Sequence, residues 1–396
     1  MDWLGWLIFL VALLISVMWH ETGHFAAAKR FGMKCTEYFI GFGPTVWSFH
    51  FGETEYGIKA IPAGGFVKIV GMTSLDTVAP EDESRSFRRH PRWQRLIVLG
   101  AGSFMHFVLA FFLVFGLALG LGIESDNTTQ LATIASCVPA SSTALLNDAP
   151  CTAKDAKSPA VLAGFKVGDT ITSFDGTKVT SFTQLSSLIK AVKPDAAATF
   201  TVERDGKTQT LHTKLANVPH WGGYLGVATT DVFQPTSVFG AVRYSGSFFS
   251  QTITGSVSAL GELPASIPKL FAKNRANTAA GNVTSVYGAA RDTGEAVAAN
   301  APWQDKVAFV LLLIASLNLF VGIFNLVPLL PMDGGHIAVV IWEWIRASFA
   351  RLRGRVDPGL VDYQKLIPVS FGVFMILVVF GVMLVLADIV NPVNIG

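Results

Sequence analysis

The chain contains few charged residues. Only 15% of its 396 residues are Asp, Glu, Lys or Arg, well below the roughly 25% of a soluble globular protein. The formal net charge of +2 gives no reason to expect a nucleic-acid partner. The sequence also lacks tandem repeats and long low-complexity tracts. It is instead 51% hydrophobic, with 30 Phe and 9 Trp, a composition that indicates a membrane protein in contact with the lipid bilayer.

Apolar runs of about 20 residues are typical of transmembrane helices, and the sequence contains four such runs. The first run is not expected to be a cleaved signal peptide, because no basic residue precedes it, only Asp2. The four runs extend from Trp3 to about Ala28, from Leu96 to Ile123, from Val307 to about Val327, and from about Ile367 to Ile389.

Basic residues near the ends of these runs predict the orientation of the helices. They follow the first run, precede the second and lie between the third and the fourth, so all three clusters fall on one side, which should be the cytoplasm. Both termini and the segment 124–306 are then expected outside. The basic residues are Lys29, Arg30, Arg88, Arg89, Arg92, Arg95, Arg346, Arg351, Arg353 and Arg355.

The three cysteines fit this topology. Cys35 is expected on the cytoplasmic side, where a free thiol is ordinary, whereas Cys137 and Cys151 are expected outside, where disulfides persist. A bridge between Cys137 and Cys151 would close a loop of about 15 residues and stabilise the fold by roughly 3 kcal/mol. The alternative is two unpaired thiols in a flexible insertion.

The first apolar run carries the motif His20-Glu21-Thr22-Gly23-His24. H-E-x-x-H is a zinc signature of metalloproteases, because residues four apart lie on one face of a helix and both imidazoles can reach one ion. Glu21 is then placed to accept a proton from water. Since ionisable residues within a membrane are costly and functional by default, the motif predicts Zn²⁺ chemistry on substrates that are themselves in the membrane.

Two histidines leave a catalytic zinc ion one protein ligand short. The segment 325–335, NLVPLLPMDGG, supplies the candidate, because its two prolines break the third helix and allow Asp333 to be directed inward. The alternative for Asp333 is an N-cap of a helix that begins near Gly335. His336 is expected to be a helix-start residue rather than a fourth ligand.

Residues 124–230 differ from the rest of the chain in being polar and patterned as short strands. A strand is predicted over 170–174, a helix over 182–192 and a hairpin with its turn at Asp205-Gly206. The string SPAVLAGFKVGDTITSFDGTKVTSFTQL resembles bacterial PDZ domains, which are small β-sandwiches with two helices that bind peptide ends at a sheet edge. Residues 231–305 are expected to form helices at the outer membrane surface.

HETGH in the first span, NLVPLLPMDGG in a later span and a PDZ domain between them together resemble the site-2 protease family of intramembrane zinc metalloproteases. The bacterial regulator of sigma-E protease type is the most similar group. The resemblance implies that His20, His24 and Asp333 bind zinc and that Glu21 is the catalytic base. It further implies that Asn325 holds the substrate backbone near the metal.

The resemblance also implies a function and a location. Proteins of this type span the bacterial inner membrane several times and hydrolyse peptide bonds in or near transmembrane segments. Their substrates, such as anti-sigma factors, have already been trimmed by an upstream site-1 protease. Two other functions stay open, a membrane metal transporter and a catalytically inactive PDZ membrane scaffold.

Two further features concern the cytoplasmic side and the second helix. The stretch 52–72 is similar to a family segment that forms a β-hairpin dipping into the membrane; an ordinary cytoplasmic hairpin is the alternative. The family's second helix usually carries Gly-Pro-x-x-Asn, whereas this chain has Gly102-Ser103-Phe104-Met105-His106. His106 is therefore left open between a metal ligand and a polar contact between helices.

The predicted fold class is a polytopic α-helical membrane protein with four transmembrane helices and an inserted extracytoplasmic β-rich PDZ domain. The predicted segments are 1–30, transmembrane helix 1 with HExxH; 31–95, a cytoplasmic loop with a membrane-associated β-hairpin; 96–123, transmembrane helix 2; 124–230, the PDZ domain; 231–306, extracytoplasmic surface helices; 307–345, transmembrane helix 3 with the NxxPxxPxDGG segment; 346–366, a cytoplasmic loop; and 367–396, transmembrane helix 4 with the C-terminus.

Overall fold

The computed structural model describes residues 2–73, 76–125, 128–139, 151–152, 155–192, 196–218, 222–229, 232–272, 275 and 284–392. The chain divides into two compact units. Residues 1–117 and 239–395 form the first unit, and residues 118–238 form the second. Among the described residues, four helices are long and apolar enough to cross a membrane, as the sequence predicts: Trp3–Arg30, Arg92–Gly120, Trp303–Asn325 and Tyr363–Val390.

The helices and strands follow one another along both units in a single chain order. They are α1 (Asp2–Arg30), β1 (Cys35–Phe51), β2 (Thr54–Ile69), α2 (Arg92–Gly120), β3 (Ile123–Ser125), β4 (Leu131–Ile134), α3 (Pro159–Ala163), β5 (Thr170–Phe174), β6 (Thr177–Lys178), α4 (Phe182–Ala191), β7 (Ala197–Arg204), β8 (Lys207–Lys214), β9 (Ala216–Val218), β10 (Gly222–Tyr224), β11 (Val227–Thr229), β12 (Val232–Gln234), α5 (Val238–Ser266), α6 (Val286–Ala298), α7 (Trp303–Asn325), α8 (Asp333–Leu352) and α9 (Ile367–Val390).

The second membrane-length helix is displaced from the predicted 96–123. The helix begins at Arg92 and so includes Arg95, which is buried and forms an ion pair of 2.8 Å with Glu343 of α8. Because this pair neutralises the charge of Arg95, the side chain can be buried within the first turn of the helix. It ends at Gly120 because Gly122 has a φ of +104°, which favours glycine. A side chain at Gly122 would also collide with the backbone of Gln234.

The region 307–345, predicted as transmembrane helix 3 with the NxxPxxPxDGG segment, contains two helices. α7 ends at Asn325 and α8 begins at Asp333, so the two prolines do break the helix. α8 then continues to Leu352, and the prediction of a loop from 346 onwards was wrong by seven residues. Polar residues are tolerated in this extension because they find partners; Arg346, for example, donates a hydrogen bond of 2.8 Å to the carbonyl of Gly359.

The hairpin on the predicted cytoplasmic side is longer than the stretch 52–72. β1 contributes a strand before this stretch and pairs with β2 in antiparallel register, from Cys35 opposite Ile69 to Phe51 opposite Thr54. Both strands bend, so that Glu37 pairs with residues on two sides, Lys68 and Glu55. The first part of β1 therefore lies between the two ends of β2. The residue pattern in 52–72 alone does not show which earlier segment pairs with it.

An ion-pair cluster fixes the hairpin turn next to the end of α1. Glu53, which follows Gly52 in the turn, accepts hydrogen bonds of 2.6 and 2.8 Å from Arg85 and of 2.6 Å from Lys29. The hydrogen bonds from Arg85, which outweigh partial burial, lower the pKa of Glu53 to about 2. The turn is therefore held near Lys29 of α1, the helix that carries the HExxH motif.

Between α2 and α7, the first unit contains the helices α5 and α6, and α6 packs tightly on α1. Gly5 of α1 has no room for a side chain, because a Cβ would lie 2.5 Å from Cα of Gly294 in α6. Trp6 contacts Tyr287 edge to face with ring centroids 5.3 Å apart. Phe9 is 2% exposed, in a cluster with alanines of α6. α6 is thus part of the helical core around α1, a packing that the prediction of surface helices did not include.

The second unit is built around a four-stranded sheet with strand order β6-β5-β7-β8. The predicted strand 170–174, the helix of α4 and the β7–β8 hairpin are all present, and Asp205 and Gly206 of the hairpin turn have positive φ angles of 51° and 71°. These angles suit the type I′ turn that joins twisted strands. The core contains Leu131, Phe165, Ile171, Phe174, Leu185, Phe200, Val202 and Leu215.

An ion pair links the end of β7 to the residue that precedes β5. Arg204 at the end of β7 donates two hydrogen bonds of 2.7 Å to Asp169, which is 1% exposed. Burial opposes ionisation of Asp169, but the hydrogen bonds from Arg204 and from the backbone N–H of Lys166 outweigh it. The pKa of Asp169 is therefore below its ordinary value.

Candidate metal centre and active site

Three predicted ligands converge in the first unit. His20 and His24 lie one turn apart on α1, and their Nε2 atoms are 3.0 Å apart. Asp333 is the first residue of α8, and its Oδ2 lies 3.3 Å from both nitrogen atoms. Both histidines are 8% exposed. Of the described residues, this is the group of His, Cys, Asp and Glu side chains whose ligand atoms are close enough to hold one metal ion.

The geometry and the chemistry of these three groups fit zinc. Tetrahedral zinc with bonds of roughly 2.0–2.1 Å places its ligand atoms about 3.3 Å apart, close to the three separations observed. Oδ2 of Asp333 is buried and accepts no hydrogen bond from the described residues, although two ring nitrogens lie near it. A buried carboxylate oxygen without a donor is costly. A shared cation would stabilise it, and two nitrogens with one oxygen are ligands that zinc prefers.

A close turn between α7 and α8 places Asp333 in this position. After α7 ends, the chain turns through residues 326–332, with a cis peptide before Pro331, and returns at the start of α8. A Cβ at Gly334 would collide with the carbonyl oxygens of Leu326 and Val327, and a Cβ at Gly335 would lie 2.5 Å from the nitrogen of Leu330. The glycine pair therefore lets α8 begin directly against the turn.

Glu21 lies beside the three ligands and against the edge of the hairpin. It lines a cavity of about 120 Å³ together with the ligands and with Phe66, Val67 and Ile69 of β2. The backbone N–H of Val67 lies near the Glu21 carboxylate. The opposite side of this segment of β2 pairs with β1. A carboxylate is thus placed between the metal ligands and the free edge of a strand.

The hairpin and the motif are also connected by a tyrosine. The hydroxyl of Tyr38 in β1 lies 2.8 Å from Oγ1 of Thr22 and donates a hydrogen bond of 3.2 Å to the carbonyl of Met18. Thr22 itself donates to the Met18 carbonyl at 2.7 Å. Thr22, the first unspecified position of the H-E-x-x-H pattern, therefore anchors the hairpin to the helix that bears the ligands.

Two glycines allow α2 to press against the motif. A Cβ at Gly23 would lie 2.5 Å from the carbonyl oxygen of Ala101, so the α1 and α2 backbones are in contact there. A Cβ at Gly102 would overlap the rings of both His20 and His24. α2 also supplies the carbonyl of Val98, which lies 2.7 Å from Nδ1 of His24. Such a bond orients the ring and leaves Nε2 free to bind metal.

The remaining predicted residues are placed as follows. Asn325 is the last residue of α7 and is half-buried, eight positions before Asp333. His106 does not join the ligand group; it contacts Ser16 and Asn318 instead. His336 lies in the first turn of α8, with Nδ1 3.3 Å from the hydroxyl of Tyr363.

The predicted disulfide lies in the second unit. The structure joins Cys137 to Cys151, while Cys35 of β1 is a buried free thiol. Burial raises the pKa of the Cys35 thiol to about 11. Cys35 is therefore protonated and unreactive at neutral pH.

Sequence reasoning missed several residues of the site. Val67 and Val98 act through backbone atoms, which leave no mark on residue type. Gly102 was noted only as part of a departure from a family motif. The polar contacts of Ser16 and Asn318 carried a weak signal, since polar residues within apolar helices often bond across helices.

A ligand triad formed by one membrane-length helix and the start of α8, with an adjacent carboxylate and a strand edge, is the site of a membrane-embedded metal-dependent hydrolase. The comparisons with known proteins are more specific. Residues 8–356 match the model of Peptidase family M50. The chain therefore belongs to this family of site-2 proteases, and it is a multi-pass membrane zinc metalloprotease. This membership decides against the transporter and the inactive scaffold.

The relatives of this chain extend over nearly its full length. It is 37% identical over 414 residues to the zinc metalloprotease Rip1 of Mycolicibacterium smegmatis, covering 99% of this chain and 98% of that protein. It is 35% identical over 406 residues to Rip1 of Mycobacterium tuberculosis strain H37Rv, with 98% of each chain covered. A stretch of 18% of the chain is also 21% identical to the PDZ domain of an SdrC-like protein from Listeria monocytogenes, covering 75% of that chain with a TM-score of 0.17.

Proposed function

We propose that the chain hydrolyses peptide bonds in or near transmembrane segments of other membrane proteins, with zinc held by His20, His24 and Asp333. The observation that carries this proposal is the triangle of ligand atoms with sides of 3.0, 3.3 and 3.3 Å at the level of a helix break. Zinc bound there would polarise the scissile carbonyl and make a water molecule acidic enough to lose its proton near neutral pH.

The protein groups around the ion would then perform the proton transfer. Glu21 follows His20 directly and lines the same cavity, so its carboxylate is the base for the attacking water. Once Glu21 has accepted the proton from water, it is a carboxylic acid and can donate that proton to the leaving amine. The nearby Val67 N–H is proposed to orient the carboxylate.

A substrate helix has to unwind before its carbonyls become available. The free edge of β2 at residues 66–69 offers backbone groups to an extended segment, as in β-strand addition. Asn325, at the end of α7, is proposed to bind the substrate backbone near the metal. Exposed Trp47, Phe49 and Phe51 of β1, at 57%, 46% and 75%, alternate along the strand and give the hairpin an apolar face that supports its insertion into the membrane from the cytoplasm.

The proposed location is the bacterial inner membrane. The distribution of Lys and Arg supports an active site near the cytoplasmic side. It also supports an external position for residues 124–230, which are proposed to be a PDZ domain. The proposed substrates are transmembrane proteins such as anti-sigma factors, already trimmed by an upstream site-1 protease. Cleavage would release a cytoplasmic fragment in regulated intramembrane proteolysis.

Replacing Glu21 by glutamine tests the proposed base. All three ligands remain in Glu21→Gln, so zinc content should stay at the parent level, while cleavage of a helical membrane substrate should fall by about 10²- to 10⁴-fold. Zinc content and turnover would be measured on purified protein. Glu81→Gln, an exposed change in the loop before α2, is the matched control and should behave as the parent. Comparable turnover in Glu21→Gln would remove Glu21 from the mechanism.

A further inference from the structure

The two metal-binding imidazoles are held in different ways. Nδ1 of His24 is hydrogen-bonded to the carbonyl of Val98, which fixes the orientation of that ring. Nδ1 of His20 is buried and has no hydrogen-bond partner among the residues that the structure describes. A ring without such a bond can rotate about its side-chain torsions unless packing prevents it. Something other than a hydrogen bond therefore has to orient His20.

The neighbour of the His20 ring is another histidine. The ring centroids of His20 and His106 lie 4.9 Å apart, with an angle of 42° between the planes. His106 is on α2 and is 2% exposed. Gly102 of α2 lies against the side of the His20 ring that faces this helix. There is no spare room there, because a Cβ at Gly102 would overlap the ring. The His20 ring has no hydrogen bond at Nδ1 to restrict its rotation, and packing by α2 restricts it instead.

The ring of His106 is itself anchored by a polar cluster between three helices. Nδ1 of His106 lies 2.7 Å from Oδ1 of Asn318 in α7, and Oγ of Ser16 in α1 lies 2.5 Å from the same oxygen. Asn318 is fully buried. Its Nδ2 donates a hydrogen bond of 2.8 Å to the carbonyl of Ile314.

This last bond determines the direction of the others. A carbonyl only accepts hydrogen bonds, so the amide nitrogen of Asn318 has to face Ile314 and its oxygen has to face the other two residues. His106 therefore carries hydrogen on Nδ1 and donates it, and Ser16 donates its hydroxyl proton. A buried polar group inside a membrane is costly unless it is satisfied, and here each one is used to hold the His106 ring.

We infer that His106 is a positioning residue that holds the imidazole of His20 in its metal-binding orientation. Asn318 anchors the His106 ring, and Ser16 supports Asn318. Ser16 lies one turn before His20 on α1, so the support for Asn318 comes from the same helix as the ligand. The inference rests on the proposed ligand set, because it concerns how one of those ligands is oriented.

The test measures zinc binding directly on the purified full-length protein. Zinc affinity is obtained by competition with a chromophoric chelator, and the Co²⁺-substituted protein reports ligand geometry through its visible absorption. His106→Ala should lower zinc affinity by about 10- to 100-fold, the usual effect of losing a group that orients a ligand, and should alter the cobalt spectrum. Asn318→Leu keeps the volume but removes the anchor, so it should shift both readouts in the same direction by a smaller factor.

Two further variants separate positioning from general destabilisation. His106→Phe retains a ring against His20 and should recover most of the zinc affinity that His106→Ala loses. Ser103→Ala is the matched control on α2, since Oγ of Ser103 is buried without a hydrogen-bond partner among the described residues, and it should match the parent. A folded His106→Ala protein with parental zinc affinity and cobalt spectrum would overturn the inference.

His20→Ala serves as the reference for the proposed ligands. If His20→Ala retains parental zinc affinity, the ligand set itself is wrong. If His20→Ala loses zinc but His106→Ala does not, only the positioning role fails. Should His106→Ala not fold, Asn318→Leu decides, because parental zinc affinity in that variant shows that the anchor has no effect on the metal centre.

Discussion

Replacing Gly102 by alanine should disable the metal centre while leaving the fold intact. The new Cβ would lie 2.5 Å from Cε1 and 2.6 Å from Nε2 of His20, and closer still to Nε2 of His24. Carbon atoms in contact are normally about 3.5–4.0 Å apart, so the rings have to move by about 1 Å. Metal–ligand distances tolerate only about 0.2 Å. The ring ends can move without unfolding the helices, but they cannot move and still bind zinc.

The expected magnitudes differ for stability and for activity. Overpacking of this kind costs about 1–3 kcal/mol of folding free energy, which a membrane protein of this size should survive. A displacement of about 1 Å at a catalytic centre lowers activity by about 100-fold. His24 has little freedom to swing aside, since the Val98 carbonyl holds its Nδ1. Zinc occupancy should therefore fall together with cleavage.

The assay compares purified Gly102→Ala with the parent for bound zinc, cleavage of a helical membrane substrate and thermal stability. Gly100→Ala is the matched control two positions earlier on α2, because a Cβ there meets no described heavy atom within 4 Å. That change should leave zinc and activity unaltered and add up to about 1 kcal/mol of helix stability. Parental zinc content and cleavage in Gly102→Ala would refute the reasoning.

Three further predictions concern other groups. Asp333→Ala should lower zinc affinity and cleavage together, because it removes a ligand; unchanged affinity in chelator competition would make Asp333 only a helix-start residue. Cys137 and Cys151 should resist thiol reagents in the native protein and react after reduction, and labelling of both without reductant would contradict the bridge. The second unit should lose stability as pH falls below about 4, since the lowered pKa of Asp169 makes its ion pair stabilising above the unfolded-state value of about 3.9 and lost on protonation. Calorimetry of parent and Asp169→Asn tests this, and an unchanged pH dependence in the variant would exclude Asp169 as its source.

The sequence was sufficient for features whose signal is local. Four apolar runs predict four membrane-length helices because length and hydropathy alone decide whether a helix can span a bilayer. The spacing of His20 and His24 predicts a shared face because helical periodicity is fixed. In the second unit, Asp205-Gly206 between alternating segments predicts a hairpin because few residue types adopt the required backbone angles.

Features that depend on which segments meet were decided only by the tertiary structure. The hairpin pairs β2 with β1, and α2 begins at Arg92 rather than at Leu96 because Arg95 and Glu343, far apart in sequence, neutralise each other. The Val67 N–H beside Glu21 comes from a backbone group that every residue but proline carries. Residue type therefore says nothing about which of these groups reaches the carboxylate.

The candidate metal centre also depends on both the sequence and the tertiary structure. The sequence determined the chemical types present, two imidazoles and two carboxylates in a membrane protein. It did not determine that α2 crosses α1 at Gly102, or that His106 bonds to Asn318 across 212 positions of chain. Such contacts follow from how helices cross, and helix crossing depends on packing over the whole interface rather than on any local run of residues.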